Sequence, residues 1–426
     1  VISDLMGLKA TSQLLTGAPV RKNRTWRLVV GVAALVILVA AAYGIFKSNI
    51  FTGEKPTAQR KMLAVLPFEN LSPDPDQEYF SDGLTEELTS KLSLVQSLCV
   101  ISRSSSMTFK GSNKTIPEIA KALKVQYIVE GSVRKAGKEL RITAQLIDAN
   151  ADAHLWSKIY TGTLDDVFDM QDSVSRAIVD GIKIQLTPDE TRRLGKRSFN
   201  NTVAFAYYLE GKAEIDKGTE DAIIRGMQYF QQGLDIVGDN ALIYSGMAWG
   251  YWSMVNGGFA QEEDISKAED YARKSLNLDP ELPEAHAMLG WINCAFLGNQ
   301  RKAVEHFKEA LAIDPNSTTA LSGLAIVYFE YTGKVNASLP LIERRNTIFP
   351  LDSLYRYVKQ GAIALFTTDF MQARGANRKV HDIGLREPVQ TFFYAISLAY
   401  CDSVKEALSD NDECGGENPT RSMISF

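Results

Sequence analysis

Two segments in the second half of the chain repeat one pattern of small and apolar residues. Each segment spaces four residues at intervals of 4, 3 and 5, namely Ala268, Ala272, Ser275 and Pro280, and then Ala303, Phe307, Ala310 and Pro315. The two prolines are 35 residues apart. A repeat of this length indicates a stack of similar units, because each unit buries its apolar face only against its neighbours. We therefore predict that this half of the chain is an array of stacked helix pairs.

A period near 34 residues is typical of tetratricopeptide repeats, in which each unit is a helix–turn–helix. The leading helices align at the same step, with Ala285, Leu289 and Gly290 matching Ala320, Leu324 and Ala325. Proline-containing turns at 277–285 and 312–320 separate the units, and looser copies lie on either side. We predict about five helix pairs in an α-solenoid over residues 200–400, followed by an irregular tail over 401–426.

The leading helices of such a stack line its concave face. Six side chains on these helices are candidates for a partner groove, namely Trp249, Tyr251, Trp252, Trp291, Ile326 and Phe329. An alternative also fits the sequence, because aromatic residues on stacked helices can simply pack between the repeats. The predicted ligand is a protein or a peptide, and the sequence does not name it.

Near the start of the chain, residues 28–46 form a run of nineteen residues without a charge. A helix of this length spans about 28 Å, close to the ~30 Å hydrocarbon core of a bilayer. The run therefore predicts one transmembrane helix. A cleaved signal peptide is the alternative, because Ala40, Ala41 and Ala42 offer a small-residue cleavage site after an apolar run.

The charges that flank this run predict its orientation. Four basic residues precede it closely, namely Arg21, Lys22, Arg24 and Arg27. Only Lys47 is equally close on the other side, and an excess of basic residues is typical of the cytoplasmic side. We expect residues 1–27 to be a cytoplasmic tail and residues 47–61 to be a linker outside the cytoplasm. Because residue 1 is not methionine, we also expect a further domain upstream.

Residues 62–190 alternate between strand-like and helix-like patterns. The short apolar run 62–68 predicts a buried strand, and residues 140–146 alternate with the period of two of a half-buried antiparallel strand. Thr115 and Glu118 have the spacing of a capping box at the start of a helix. Together these patterns predict a compact α/β unit with a mixed or antiparallel sheet.

Four strings in this unit resemble the TolB-like amino-terminal domain, namely AVLPFENLS (64–72), EYFSDGLTEELTSKLS (78–93), YIVEGSVRKAGKELRITAQLIDA (127–149) and HLWSKIY (154–160). The resemblance implies a bacterial protein in which this domain lies between a transmembrane helix and tetratricopeptide repeats. It also implies an effector before the membrane helix, which in many such proteins is a class III adenylate or guanylate cyclase. In others the effector is a winged-helix DNA-binding domain or a protein kinase.

The predicted fold class is thus multidomain α/β plus all-α. It comprises one transmembrane helix, a small TolB-like α/β domain with a mixed sheet, and a C-terminal tetratricopeptide-repeat α-solenoid. The localisation that follows is the bacterial inner membrane, with a single pass, a cytoplasmic N-terminus and extracytoplasmic C-terminal domains.

Residue patterns that would carry chemistry are missing from the sequence. The four histidines have no second ligand at i+3 or i+4, and no glycine-rich phosphate loop occurs. A net charge of −5 gives no basic face for nucleic acid. We therefore predict no catalytic residue, cofactor or metal in this chain, and leave the full-length protein open. Pairing of Cys401 with Cys414 in an oxidising compartment also stays open.

Three functions fit these features. The first is the non-catalytic sensory or scaffolding part of a signalling protein of the class III adenylate cyclase type, which binds protein or peptide partners through its repeats. The second is the sensor part of a membrane-anchored winged-helix transcription regulator or protein kinase. The third is a stand-alone envelope scaffold. A homodimer is possible in each case.

Overall fold

The computed structural model describes residues 60–73, 78–352, 356, 359–361, 364 and 370–382. These residues belong to one compact unit. Several predicted segments lie outside the described residues, namely the tail 1–27, the apolar run 28–46, nearly all of the linker 47–61, residues 383–400 of the repeat region and the tail 401–426.

The N-terminal part of the described chain is built on one sheet. Its strands are β1 (Lys61–Val65), β2 (Glu69–Asn70), β3 (Leu98–Val100), β4 (Tyr127–Ala136), β5 (Glu139–Asp148) and β6 (Ala153–Thr163). The order is β3-β1-β4-β5-β6, with β2 beside β4. β1 is parallel to β3 and β4, whereas β4, β5 and β6 are antiparallel. The predicted mixed sheet is confirmed.

Helices cover the two faces of this sheet unequally. They are α1 (Glu78–Ser93), α2 (Arg103–Met107), α3 (Ile116–Leu123), α4 (Val167–Gly181) and α5 (Pro188–Leu194). α1 and α4 bury the face that carries Ile142, whereas α3 packs on the opposite face around Ile128. At the start of α3, the Glu118 carboxylate accepts a hydrogen bond from the Thr115 amide at 2.8 Å, as the capping-box spacing predicted. β6 remains largely exposed.

Helices alone follow from residue 202. They are α6 (Thr202–Ile215), α7 (Glu220–Val237), α8 (Ala241–Asn256), α9 (Ile265–Leu278), α10 (Pro283–Ala295), α11 (Gln300–Ile313), α12 (Thr318–Ile326), α13 (Val335–Ile348) and α14 (Phe370–Asp382). Within the described residues, α6 to α13 form four antiparallel pairs, and the leading helices α6, α8, α10 and α12 pack side by side. The chain therefore carries a tetratricopeptide-like scaffold.

Glycines allow large rings to lie between the helices of this array. Phe307 is fully buried between its own leading helix and the next one. A Cβ atom at Gly290 would lie 2.5 Å from its ring, and a Cβ atom at Gly323 would clash in the same way. Phe230 fills the equivalent space against Gly211 and Gly246. The predicted repeat of small and large residues thus marks the points where helices cross closely.

The α/β part and the repeats are joined along the turns between repeats. Asn316 lies in one of these turns, and its Nδ2 donates to the carbonyl oxygens of Ser93 at 2.8 Å and Leu98 at 3.2 Å. The Ser102 amide donates to the carbonyl oxygen of Ile348 at the end of α13, at 2.8 Å. Cys99 packs with Ile348 in a small apolar cluster. The repeats are therefore fixed to the α/β part rather than free.

One part of the predicted fold class is wrong for the described chain, because no transmembrane helix is found. Over the described ranges, no helix is both long and apolar enough to cross a membrane. The longest of them, α7, has 18 residues and includes Glu220, Asp221, Arg225 and Asp235. These charges remain because α7 buries only one face against its neighbours. The run 28–46 that motivated the prediction lies outside the described residues.

Candidate functional site on the leading helices

The tight glycine contacts define equivalent positions in successive leading helices. Gly211 and Gly290 pack on the ring of their own repeat, and Gly246 and Gly323 on the ring of the preceding repeat. When the four leading helices are aligned on these contacts, one equivalent position is occupied by Lys212 in α6, Trp249 in α8, Trp291 in α10 and Ile326 in α12. We call this set the leading-helix face. Three of its four members belong to the predicted partner groove.

In the first repeat, this face is already covered by the α/β part. Lys212 forms an ion pair with Glu86 of α1, and Arg103 approaches the same carboxylate at 3.7 Å. Leu209, one turn earlier on α6, packs so closely on α1 that a Cβ atom at Gly83 would clash with it. An intramolecular helix therefore occupies the first part of the face.

In the second repeat, the same face is open and aromatic. The Trp249 side chain is 36% exposed and stacks on Trp252, with ring centroids 5.0 Å apart and an interplanar angle of 15°. The two residues are three positions apart, so they lie on one side of α8. The Trp252 indole Nε1 is buried, and none of its neighbours in the described chain accepts its hydrogen bond. The structure thus brings together two of the six predicted groove residues.

The other four predicted residues lie elsewhere or pack more deeply. Tyr251 stacks on Tyr271 of the trailing helix α9, with centroids 5.6 Å apart. Trp291 is half-buried and makes a T-shaped ring contact with Phe307. Ile326 is half-buried, and Phe329 is buried in a π-helical turn over Val327–Tyr331. These contacts are of the kind expected when aromatic residues pack between repeats, and the predicted groove as a whole stays a prediction.

The sequence patterns did not point to the charged cavity between α1, α6 and the start of α10. The cavity has a volume of about 90 Å³, and its lining includes Glu86, Glu87, Lys91, Lys212 and Glu284. Burial raises the pKa of Glu87 and of Glu284. Burial also opposes ionisation of Glu86, but the cations Lys212 and Arg103 outweigh it and lower the pKa of that carboxyl. This cavity is a charged joint between the two parts of the chain.

A larger cleft opens on the uncovered half of the sheet. It has a volume of about 630 Å³, and Phe68, Lys110, Glu130 and Gln145 are among its lining residues. Burial raises the pKa of Glu130, and the neighbouring Glu69 acts in the same direction. Nothing in the sequence patterns marked this cleft, because its lining comes from five separate elements.

Two histidines that are 20 positions apart in sequence meet in the repeats. His286 Nδ1 and His306 Nδ1 lie 3.3 Å apart, and His286 Nε2 donates to the Pro280 carbonyl oxygen at 3.0 Å. Burial, together with the neighbouring His286, lowers the pKa of His306. No group of three or more metal-ligating side chains converges anywhere in the part of the chain that the structure describes.

Comparisons with known proteins cover the two parts of the chain separately. Residues 59–176 match the family model for the second domain of HilA/YgeH-like transcriptional regulators. A protein of Rhizobium meliloti (strain 1021) named "Putative adenylate cyclase 3" is 32% identical over 231 residues. That alignment covers 53% of this chain and 39% of the relative, so the chain spans well under half of the relative's length.

Two solved structures align with about half of this chain at low identity. PilW, a widely conserved type IV pilus biogenesis factor, is 13% identical with a TM-score of 0.42, over 52% of this chain and 99% of that protein. PilF of Pseudomonas aeruginosa is 12% identical with a TM-score of 0.43, over 53% of this chain and 98% of that protein. The TolB-like resemblance stays a prediction beside these matches.

Proposed function

We propose that this chain is the non-catalytic scaffolding and sensory part of a bacterial signalling protein of the class III adenylate cyclase type. Two observations support the proposal, namely the tetratricopeptide-like array and the 32% identity to a protein named as an adenylate cyclase. The aligned part is 39% of that relative, so cyclase activity belongs to the proposal for the whole protein. The inner-membrane localisation stays a prediction from the sequence.

The proposed binding surface is the open part of the leading-helix face around Trp249 and Trp252. The observation that carries the proposal is the stacked indole pair, with Trp249 exposed, on a helix that follows the covered first repeat. Aromatic side chains dominate binding energy at interfaces because they bury a large area with few rotatable bonds.

Peptide selection tests this surface. A phage-displayed peptide library is selected on the purified chain, and the selected peptides are measured against Trp249→Ala. We expect Trp249→Ala to weaken binding by about 2 kcal/mol or more, about 30-fold, as at an interface hot spot. Phe259→Ala is the matched control, because Phe259 is a similarly exposed aromatic residue outside this face. Equal affinity for both variants would reject the surface.

The signalling role requires a test on the whole gene. The complete gene that encodes this chain is expressed in a bacterial strain that lacks its own adenylate cyclase, and cyclic AMP and cyclic GMP are measured. We expect one of the two nucleotides to accumulate. If neither accumulates while the protein is present at normal abundance, the cyclase-type proposal is rejected.

The family-model match favours one second candidate. Residues 59–176 resemble the second domain of a transcriptional regulator family, so the whole protein could instead regulate transcription. In the same strain, chromatin immunoprecipitation of the protein would then enrich specific promoters. Enriched promoters without a cyclic nucleotide favour the regulator, and the reverse result favours the cyclase type. The kinase and stand-alone scaffold alternatives stay predictions.

A further inference from the structure

The strand β6 ends the sheet, and in the described chain no strand pairs with its outer edge. The opposite end of the sheet is different, because the segment after β3 is hydrogen-bonded to the repeats through Ser102 and Ile348. β6 is also long, with 11 residues, and exposed at most positions. An edge of this kind presents unpaired amide and carbonyl groups that can pair with another strand.

The register of the β5–β6 ladder shows which backbone groups point outward. The Leu164 amide donates to the Lys138 carbonyl oxygen at 3.1 Å, one step beyond the last ladder pair, Glu139 and Thr163. Hydrogen-bonded and non-hydrogen-bonded pairs alternate along an antiparallel ladder. Therefore Lys158, Tyr160 and Gly162 bond to β5.

The residues between them, Ser157, Ile159 and Thr161, direct their amide and carbonyl groups to the open edge. Thr163 also directs its amide away from β5, but this amide donates a hydrogen bond to the Asp166 carboxylate at 2.7 Å. The regular stretch of free hydrogen-bonding edge thus comprises residues 157–161.

The side chains along this edge offer little protection against pairing. Ile159 is 54% exposed on the uncovered face of the sheet. Natural edge strands are usually protected by several charges, by proline or by a bulge that twists the edge away. β6 contains one lysine and no proline, and its register irregularity lies before Ser157, opposite Leu146 and Ile147. The segment 157–161 therefore remains a regular strand that is ready to pair.

We propose that β6 pairs antiparallel with β6 of a second copy of this chain, around a two-fold axis at Ile159. In this register Ile159 lies opposite the second copy's Ile159, and Ser157 lies opposite its Thr161. The outward amide and carbonyl groups of one copy then form hydrogen bonds with those of the other, and the two exposed Ile159 side chains pack against each other. If the two-fold axis lay at Lys158 instead, Lys158 would lie directly opposite the second copy's Lys158. This pairing of like charges is unfavourable.

Charge complementarity supports a second copy as the occupant. In the proposed register, Lys158 lies opposite the second copy's Tyr160, diagonal to its Lys158 on one side and to its Gly162 on the other, within reach of a long side chain. The Asp166 carboxylate lies beside Gly162 on this face, since a Cβ atom there would be 2.8 Å from Asp166 Oδ2. Each Lys158 can therefore approach an Asp166 of the other copy, twice per dimer.

Proline substitution tests the pairing without disturbing the fold. The Ile159 amide points away from β5, so Ile159→Pro removes an outward donor and leaves the β5–β6 ladder intact. Sedimentation of the chain should show a dimer for the wild type and for Ile159→Val, and a monomer for Ile159→Pro. Circular dichroism checks that the proline variant is folded. A wild-type monomer at the highest soluble concentration, or a dimer that survives Ile159→Pro, overturns the proposal.

Cross-linking tests the register. In a chain with Cys401→Ser and Cys414→Ser, Ile159→Cys should form a disulfide-linked dimer under mild oxidation, because opposed residues lie about 5.5 Å apart between Cα atoms. Lys138→Cys, an exposed turn residue, is the control and should remain monomeric on a denaturing gel. A failure of Ile159→Cys to cross-link overturns the register.

Charge reversal provides a variant that does not touch the strand backbone. Lys158→Glu should weaken dimerisation by about tenfold, because it places a carboxylate near Asp166 of the other copy. Lys138→Glu should leave the dimer unchanged. If another protein or a segment of the same chain occupies the edge instead, the wild type is monomeric and both variants behave alike, which also overturns the proposal.

Discussion

Asn316 connects the repeats to the α/β part by hydrogen bonds, and its substitution should lower the stability of the chain. Its Nδ2 donates to two carbonyl oxygens, that of Ser93 at the end of α1 and that of Leu98 in β3. The Ser93 carbonyl belongs to the last turn of a helix, where intrahelical donors are missing. Asn316 is 5% exposed, so water cannot readily replace it after substitution. We predict that Asn316→Ala destabilises the whole unit.

The magnitude follows from the bonds lost and the groups left behind. Each of the two hydrogen bonds contributes about 1 kcal/mol, and a buried carbonyl without a donor adds a further cost of about 1 kcal/mol. One gain opposes this, because the Asn316 Oδ1 is itself buried without a donor in the described chain and is removed by the substitution. The net loss is therefore about 2 kcal/mol in the free energy of unfolding.

Urea unfolding followed by circular dichroism and by tryptophan fluorescence measures this loss. We expect a lower midpoint with an unchanged slope, because the surface exposed on unfolding stays the same. Asn150→Ala is the matched control, since Asn150 lies in an exposed turn, and it should change the free energy by less than about 0.5 kcal/mol. An Asn316→Ala variant as stable as this control would refute the docking account, as would separate wild-type transitions for sheet and repeats.

Three further substitutions test the packing and the charges. Phe307→Ala should cost about 3–5 kcal/mol in urea unfolding, because it empties the space between two leading helices. Lys212→Met should cost about 1–3 kcal/mol by the same assay, since Glu86 loses its main cation. Burial raises the pKa of Asp314 to about 7, so the folded chain binds this proton more tightly than the unfolded chain does. The free energy of unfolding should therefore fall as pH rises from about 4 to about 7, and Asp314→Asn should flatten that slope. Asp235→Asn, on an exposed helix face, is the control and should leave the slope unchanged.

The repeats could be predicted from the sequence because their spacing is itself a packing rule. The spacing of Phe307 and its neighbours on α11 places them where helices cross closely. Gly290 has no side chain and leaves space for the Phe307 ring. The mixed sheet was also predictable, since the period of two over residues 140–146 fixes which side chains face the core. The docking of the two parts was not, because Asn316 contacts a residue 223 positions away.

The partner groove was only partly predictable, and helix geometry explains why. Trp249 and Trp252 are three residues apart and share one side of α8, whereas Tyr251 lies two residues from Trp249 and faces another helix. A helical projection alone would have separated Tyr251 from the pair. His286 and His306 meet across two helices at 3.3 Å, a contact that their separation of 20 positions in sequence does not indicate.

We propose that the indole pair on α8 binds an extended peptide. The most direct test is a two-dimensional ¹H–¹⁵N spectrum of the indole groups during titration with a selected peptide. We predict that the indole N–H signals of Trp249 and Trp252 shift in a saturable way, while that of Trp156 in the α/β part does not. A peptide that binds but leaves the signals of Trp249 and Trp252 unchanged would contradict the claim.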